Sequence, residues 1–199
     1  MSVSTLSRRT FLSAGTAAAF TLACRRVAGA PQVCRVTDAN IEGPYYRAGA
    51  GFRSDLTDPG MGGEALDVSG RVLSADCRTP LAGAVLDVWQ ADSAGHYDND
   101  GSFREDRLRL RGKVRTDGAG KFSFRTLVPG RYLNGPTYRP AHIHVKLAAP
   151  GHRLLTTQLY FPGDPYNAGD PFFLRSLLMD VSSGARGKEG HFDFVATPV

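Results

Sequence analysis

The sequence has no long hydrophobic run. Its most apolar stretch, Ser13 to Ala23, is short and mild, well below the roughly 20 apolar residues of a membrane span. From residue 31 onward there is no internal repeat, charge block or low-complexity linker, which leaves a single domain. There are only three cysteines, no second Cys pair and no helical His-Glu-x-x-His, so the common zinc signatures are missing. Residues 1–30 contain no acidic residue at all. What is present in quantity is apolar residues (42%) against 22% charged, which excludes global disorder. The 23 glycines and 12 prolines suit a loop-rich all-β chain.

The net charge of +5 raises the question of nucleic acid or an anionic membrane as partner. Arg8, Arg9, Arg25 and Arg26 all fall in the first 30 residues and no acid offsets them. A twin arginine, Arg8-Arg9, precedes Phe11-Leu12 and the mild apolar stretch, and small residues follow. This pattern reads as an export signal of the twin-arginine type, with cleavage near 23/24 or 30/31. Cleavage after Ala30 leaves 20 basic against 19 acidic residues. The basicity therefore belongs to the signal, and no nucleic-acid partner is expected. Thr21-Leu22-Ala23-Cys24 resembles a weak lipoprotein box, so a membrane is a partner only if Cys24 is lipidated. The expected location is outside the cytoplasm, and a homo-oligomer is left open. Cys34 and Cys77 then remain as an even pair in an oxidising compartment, and a disulfide is expected. The alternative is two buried free thiols.

The 31–199 domain has a period of two. Leu66, Val68 and Val72 alternate with polar neighbours. Ala84, Leu86 and Val88 form one face of a run whose other face carries Val85, Asp87 and Trp89. Phe122 and Phe124 alternate in the same way, as does His191-Phe192-Asp193-Phe194. Half-buried strands separated by Asp-Gly, Pro-Gly and Asn-Gly turns predict an all-β sandwich. A short helix is expected only over Phe172–Val181. The Gly- and Asp-rich stretch from Ala91 to Leu110 is expected to be a loop that either bears function or is mobile.

The sharpest local signal is Arg139-Pro140-Ala141-His142-Ile143-His144-Val145. In a strand, residues i and i+2 share a face. His142 and His144 therefore present two imidazoles side by side, whether to a metal or to solvent. His96, His152 and His191 are scattered, whereas Tyr97, Tyr132 and Tyr138 lie near in sequence. Holding a phenol as phenolate at pH 7 costs about 4 kcal/mol, from a pKa near 10 at roughly 1.36 per unit. A hard trivalent cation supplies that, so a Tyr/His site selects Fe(III) over zinc or cuprous copper.

These motifs resemble the intradiol ring-cleavage dioxygenases, the family of catechol 1,2-dioxygenase and protocatechuate 3,4-dioxygenase. The resemblance runs from Glu42-Gly43-Pro44-Tyr45-Tyr46 through Leu86-Asp87-Val88-Trp89-Gln90-Ala91 and Gly95-His96-Tyr97. It continues through Arg111-Gly112-Lys113-Val114, Pro129-Gly130-Arg131-Tyr132 and the Arg139–His144 motif to Thr157-Gln158-Leu159-Tyr160-Phe161. It implies a β-sandwich of the prealbumin-like, intradiol dioxygenase type. It also implies one non-haem Fe(III) per chain held by Tyr97, Tyr132, His142 and His144, and a catechol and O2 as substrates. The product implied is a cis,cis-muconate-type diacid. By the same resemblance Tyr132 is the ligand released on substrate binding, Arg139 stabilises developing negative charge, and Gln158 is a polar neighbour. Trp89 and Tyr45 are expected at the substrate wall, with plain packing as the alternative. The spacing from Tyr132 to His142 is shorter than expected of the family's catechol and protocatechuate enzymes, which bears on the pocket wall. Two rival readings use the same residues. One is a non-catalytic prealbumin-like binding module, which leaves Tyr97 and the His pair unexplained. The other is a zinc or copper hydrolase built on His142 and His144, which lacks a third ligand at a persuasive spacing.

Overall fold

The computed structural model describes residue 1, residues 34–102 and residues 107–199. The export signal and Cys24 thus lie outside the described residues. Two sheets and a hairpin make up the described part of residues 34–199.

The first sheet is built on β1 (Ala65–Ser74), which pairs antiparallel with β4 (Lys121–Leu127) along one side. On its other side β1 pairs in parallel with β10 (Gly187–His191) and then with β11 (Phe194–Ala196). The strand β9 (Asp180–Gly184) closes the far side of β10. The second sheet has the order β3 (Arg111–Arg115), β2 (Val85–Gln90), β7 (His142–Ala148), β8 (Leu155–Tyr160), all antiparallel. A separate hairpin joins β5 (Tyr132–Asn134) to β6 (Thr137–Arg139).

The alternating apolar positions meet between the sheets. Leu66, Val68, Val72, Phe122 and Phe124 from the first sheet pack with Leu86, Val88, Ile143, Val145 and Leu159 from the second. Each such side chain contributes roughly 1.5–3 kcal/mol when buried. The second sheet is covered on its other face too, so Asp87, Trp89, His142 and His144 are all buried. Residues 38–46 supply part of that cover. Asn40 N–H donates to Thr156 O at 2.8 Å, Thr157 Oγ1 donates to Asp38 O at 2.8 Å, and Gln158 Nε2 donates to Ile41 O at 2.9 Å. A disulfide joins Cys34 to Cys77 at the start of this segment, with Cα atoms 5.7 Å apart.

Two local expectations change. Phe172–Val181 is not a helix: a single 3-10 turn at Arg175–Leu177 is followed, two residues later, by β9. The chain leaves the turn because Leu178 bridges to Tyr160 of β8 and Met179 N–H donates to Tyr160 O at 3.0 Å. His191–Phe194 is not one continuous strand. The Asp193 carboxylate takes the Arg71 N–H and guanidinium, each at 2.8 Å, in place of ladder bonds. Phe192 O presses against Gly70, where any Cβ would collide with it.

Candidate metal and substrate site

The site lies on the face of the second sheet that points away from the sandwich core. His142 and His144 stand two apart on β7, with Ile143 between them turned into the core. The histidines are only 2% and 1% exposed, so the solvated-pair alternative is excluded. His142 Nδ1 lies 2.7 Å from Pro140 O, which requires the proton on Nδ1 and leaves the Nε2 lone pair free. Burial, with Arg139 nearby, pushes the His142 pKa down to about 4. Burial and the adjacent His142 push His144 well below the usual imidazole value. Both rings are therefore neutral donors at pH 7.

The two Nε2 atoms are 3.1 Å apart, and Tyr97 Oη is 3.4 Å from His142 Nε2. Tyr97 comes from the Ala91–Leu110 loop and is 1% exposed. Tyr132 opens β5, and its ring meets those of Tyr97 and His142 at centroid distances of 5.5 and 5.7 Å. Glycine makes this approach possible. A Cβ on Gly95 would collide with the Arg131 carbonyl, and one on Gly130 would lie 2.5 Å from the Gly95 nitrogen. Backbone thus packs on backbone where the two tyrosine-bearing segments cross.

Burial, with Tyr132 beside it, raises the Tyr97 pKa well above 10. The protein alone therefore does not make Tyr97 a phenolate, and a cation of high charge would have to. Among the described residues no three His, Cys, Asp or Glu side chains group around a metal. A metal here would be completed by phenol oxygens. Two neutral imidazoles and two phenols converging in a dry pocket fit a hard ferric ion. His144 Nδ1 is buried with no partner, so nothing else ties that ring's tautomer.

The polar support is built around Arg139, which ends β6 and is 4% exposed. Its Nη2 donates to Asp170 Oδ2 at 2.8 Å, Gln158 Oε1 at 2.9 Å and Tyr160 Oη at 3.1 Å. Burial works against its charge, and bonding to Asp170 and Tyr132 more than restores it, so its pKa lies above the usual value. Gln158 is fully buried and accepts from both Arg139 and Tyr160.

Arg111, Trp89, His144 and Gln158 stand opposite one another in a single row across β3, β2, β7 and β8. Trp89 is placed differently from the expectation of a substrate wall. It is 1% exposed, stacks flat on His144 at 4.7 Å and 7°, and meets Tyr46 edge-on. It backs the histidine instead of lining open space. Tyr45 does lie over the site, stacked on Tyr97 at 4.3 Å and set edge-on to Tyr132 at 5.7 Å. Tyr138 is 46% exposed and stands outside it. Sequence reasoning missed Asp98 and Asp170, and placed Asp164 only in the Gly163-Asp164-Pro165 turn that belongs to the family resemblance. Asp98 pairs with Arg111, while Asp164 accepts from Arg131 and the Ala141 N–H. No motif signals the roles of Asp98 and Asp170, because their partners are distant in sequence.

The fold and site define a β-sandwich with a buried Tyr/His cluster, and comparison with known proteins supplies the family. The profile described as Dioxygenase (Dioxygenase_C) matches residues 41–196. The chain is 41% identical over 150 residues to catechol 1,2-dioxygenase 2 of Acinetobacter lwoffii, covering 65% of this chain and 53% of that protein. It is 35% identical over 189 residues to 6-chlorohydroxyquinol 1,2-dioxygenase of Cupriavidus pinatubonensis, covering 84% and 66%. Among solved structures it resembles the dioxygenase domain of a dioxygenase–carbohydrate-binding protein fusion from Streptomyces sp. SirexAA-E. That match has a TM-score of 0.73 and 44% identity, over 83% of this chain and all of that one. The chain belongs to the intradiol dioxygenase family. It spans between about half and two thirds of the length of the two catechol-type relatives.

Proposed function

We propose that the protein is an intradiol dioxygenase that binds one non-haem Fe(III) and cleaves a catecholic ring with O2 between its two hydroxylated carbons. The product would be a cis,cis-muconate-type diacid. The observation that carries this reading is the convergence of His142 Nε2, His144 Nε2 and Tyr97 Oη within 3.1 and 3.4 Å, with Tyr132 beside them.

His142, His144, Tyr97 and Tyr132 would hold the iron, whose Lewis acidity would keep the phenols deprotonated and make a chelated catecholate electron-rich enough for O2 to attack. Tyr132 Oη is the base that takes one proton as the catechol binds. Its hairpin belongs to neither main sheet. Arg139, held in place by Asp170 and Gln158, presents a fixed cation to the negative charge that grows on the ring oxygens. Tyr45 bounds the ring pocket, and Trp89 sets the plane of His144. In a dry site, a catecholate dianion would replace two singly charged groups, the Tyr132 phenolate and a hydroxide, which take the catechol's two protons, so the exchange buries no net charge.

Export by the twin-arginine route is part of the same proposal. The Cys34–Cys77 disulfide supports it, because such bridges persist in oxidising compartments. The experiment is metal analysis of the purified protein together with oxygen uptake on a panel of catechols.

A further inference from the structure

The row across the second sheet ends in a residue that the chemistry above does not use. Arg111 stands opposite Trp89 and is 2% exposed. Its Nε donates to Asp98 Oδ2 at 2.7 Å, and its Nη2 donates to Asp98 Oδ1 as well. The same Nη2 donates to Asn99 Oδ1 at 3.1 Å and to the Tyr45 carbonyl at 2.6 Å. The Asp98 side chain is wholly shielded from solvent and also accepts the Arg109 N–H at 3.0 Å.

These bonds reach the two pieces of chain that shape one ligand. Asp98 and Asn99 directly follow Tyr97, and Tyr45 carries the ring stacked on it at 4.3 Å. The described part of the Ala91–Leu110 loop has no strand or helix, so no backbone ladder holds Tyr97 in place. On the other side the Tyr97 N–H is pinned to Asp100 Oδ2 at 2.9 Å. A buried ion pair is weak evidence for stability, because desolvation cancels much of the attraction. Its use is geometric: the guanidinium offers donors in a rigid planar fork, which an ammonium does not.

We propose that Arg111 and Asp98 are a positioning pair that sets Tyr97 Oη against His142 Nε2 and holds Tyr45 over the Tyr97 ring. The metal readout of this proposal rests on the ferric reading given above. Its second readout needs no metal.

The experiment compares the wild type with Asp98→Asn and Arg111→Lys. Metal-free protein is treated with tetranitromethane and the nitrated tyrosines are mapped by peptide mass. Tyr97 is protected in the wild type and is nitrated in both variants. Tyr160, fully buried on β8, stays protected and reports that the sandwich is intact. Ferric affinity falls about 10- to 100-fold in the same variants, the usual range for losing a group that orients a ligand, and the tyrosinate absorption band shifts. Should Asp98→Asn expose Tyr160 as well, Arg111→Lys is the variant to read, since it keeps the charge and the stem. A folded Arg111→Lys protein with Tyr97 still protected and unchanged ferric affinity overturns the proposal. A wild type that binds no iron contradicts the ferric reading, while the nitration contrast still decides the pair.

Discussion

Tyr132 and Arg139 stand directly opposite each other across the β5–β6 hairpin. The proposed departing ligand and the proposed charge stabiliser thus ride on one small element, joined by three residue pairs. Arg139 is locked by hydrogen bonds to Asp170, Gln158 and Tyr160, all buried, whereas Tyr132, itself buried, packs by its ring on Tyr45, Tyr97 and His142.

Replacing Arg139 by Gln separates its two roles. Turnover falls about 10²- to 10³-fold, the scale of losing one preorganised electrostatic group, with iron content unchanged. Asp170 is left buried and unpaired, which costs about 3–5 kcal/mol. Adding Asp170→Asn restores part of the stability and none of the turnover. Steady-state kinetics and urea unfolding of both variants check this.

Gly95→Ala strikes the crossing of the two tyrosine segments. Gly95 has φ +92°, and its Cβ would collide with the Arg131 carbonyl. Backbone strain of order 1–3 kcal/mol follows, and Tyr132 is pushed away from Tyr97. The expected result is lowered stability together with a weakened tyrosinate band. An unchanged visible spectrum would show that the crossing does not set the ligand geometry.

The metal-free protein should lose stability on mild acidification. The pKa of His142 is about 4 in the fold and near 6.5 in the unfolded chain, and His144 is displaced in the same direction. Below pH 6.5 the unfolded state binds more protons, so the fold is fully favoured above that value and is weakened as pH falls toward 4. His142 alone accounts for about 3 kcal/mol at full displacement, at 1.36 per unit. Denaturation curves at pH 7, 5.5 and 4.5 show the loss. Flat curves would mean that the histidines are not desolvated in the absence of metal.

Reducing the Cys34–Cys77 disulfide, or replacing both cysteines by Ser, loosens the segment that runs to Gly43 and Tyr45. The bridge spans 43 positions, for which a loop-entropy treatment gives about 4 kcal/mol. Thermal unfolding with and without reductant measures it. The Michaelis constant for a catechol is expected to rise more than turnover falls if Tyr45 is the proposed substrate wall, since it is not one of the proposed ligands.

The sandwich was legible wherever one face alternates with another, as in Val68 to Val72 or Phe122 to Phe124. The histidine pair was legible because a strand of period two forces both rings to one side. For Trp89 the period of two does not choose between substrate wall and packing, because its sheet is covered on both faces and a position off the core is still buried. The break at Phe192 depends on the Asp193–Arg71 contact across 122 positions, and no local pattern reports it. The same holds for Asp98 and Asp170, whose importance comes from a distant guanidinium and not from a spacing.

The most direct test of the central claim is iron content and visible absorption of the purified protein, measured alongside oxygen uptake with catechol. The account predicts about one iron per chain, a burgundy colour from tyrosinate-to-Fe(III) charge transfer, and one O2 consumed per catechol converted to diacid. Changing Tyr97 to Phe should bleach that colour or release the metal. A protein that remains colourless and iron-free after ferric reconstitution would contradict the account.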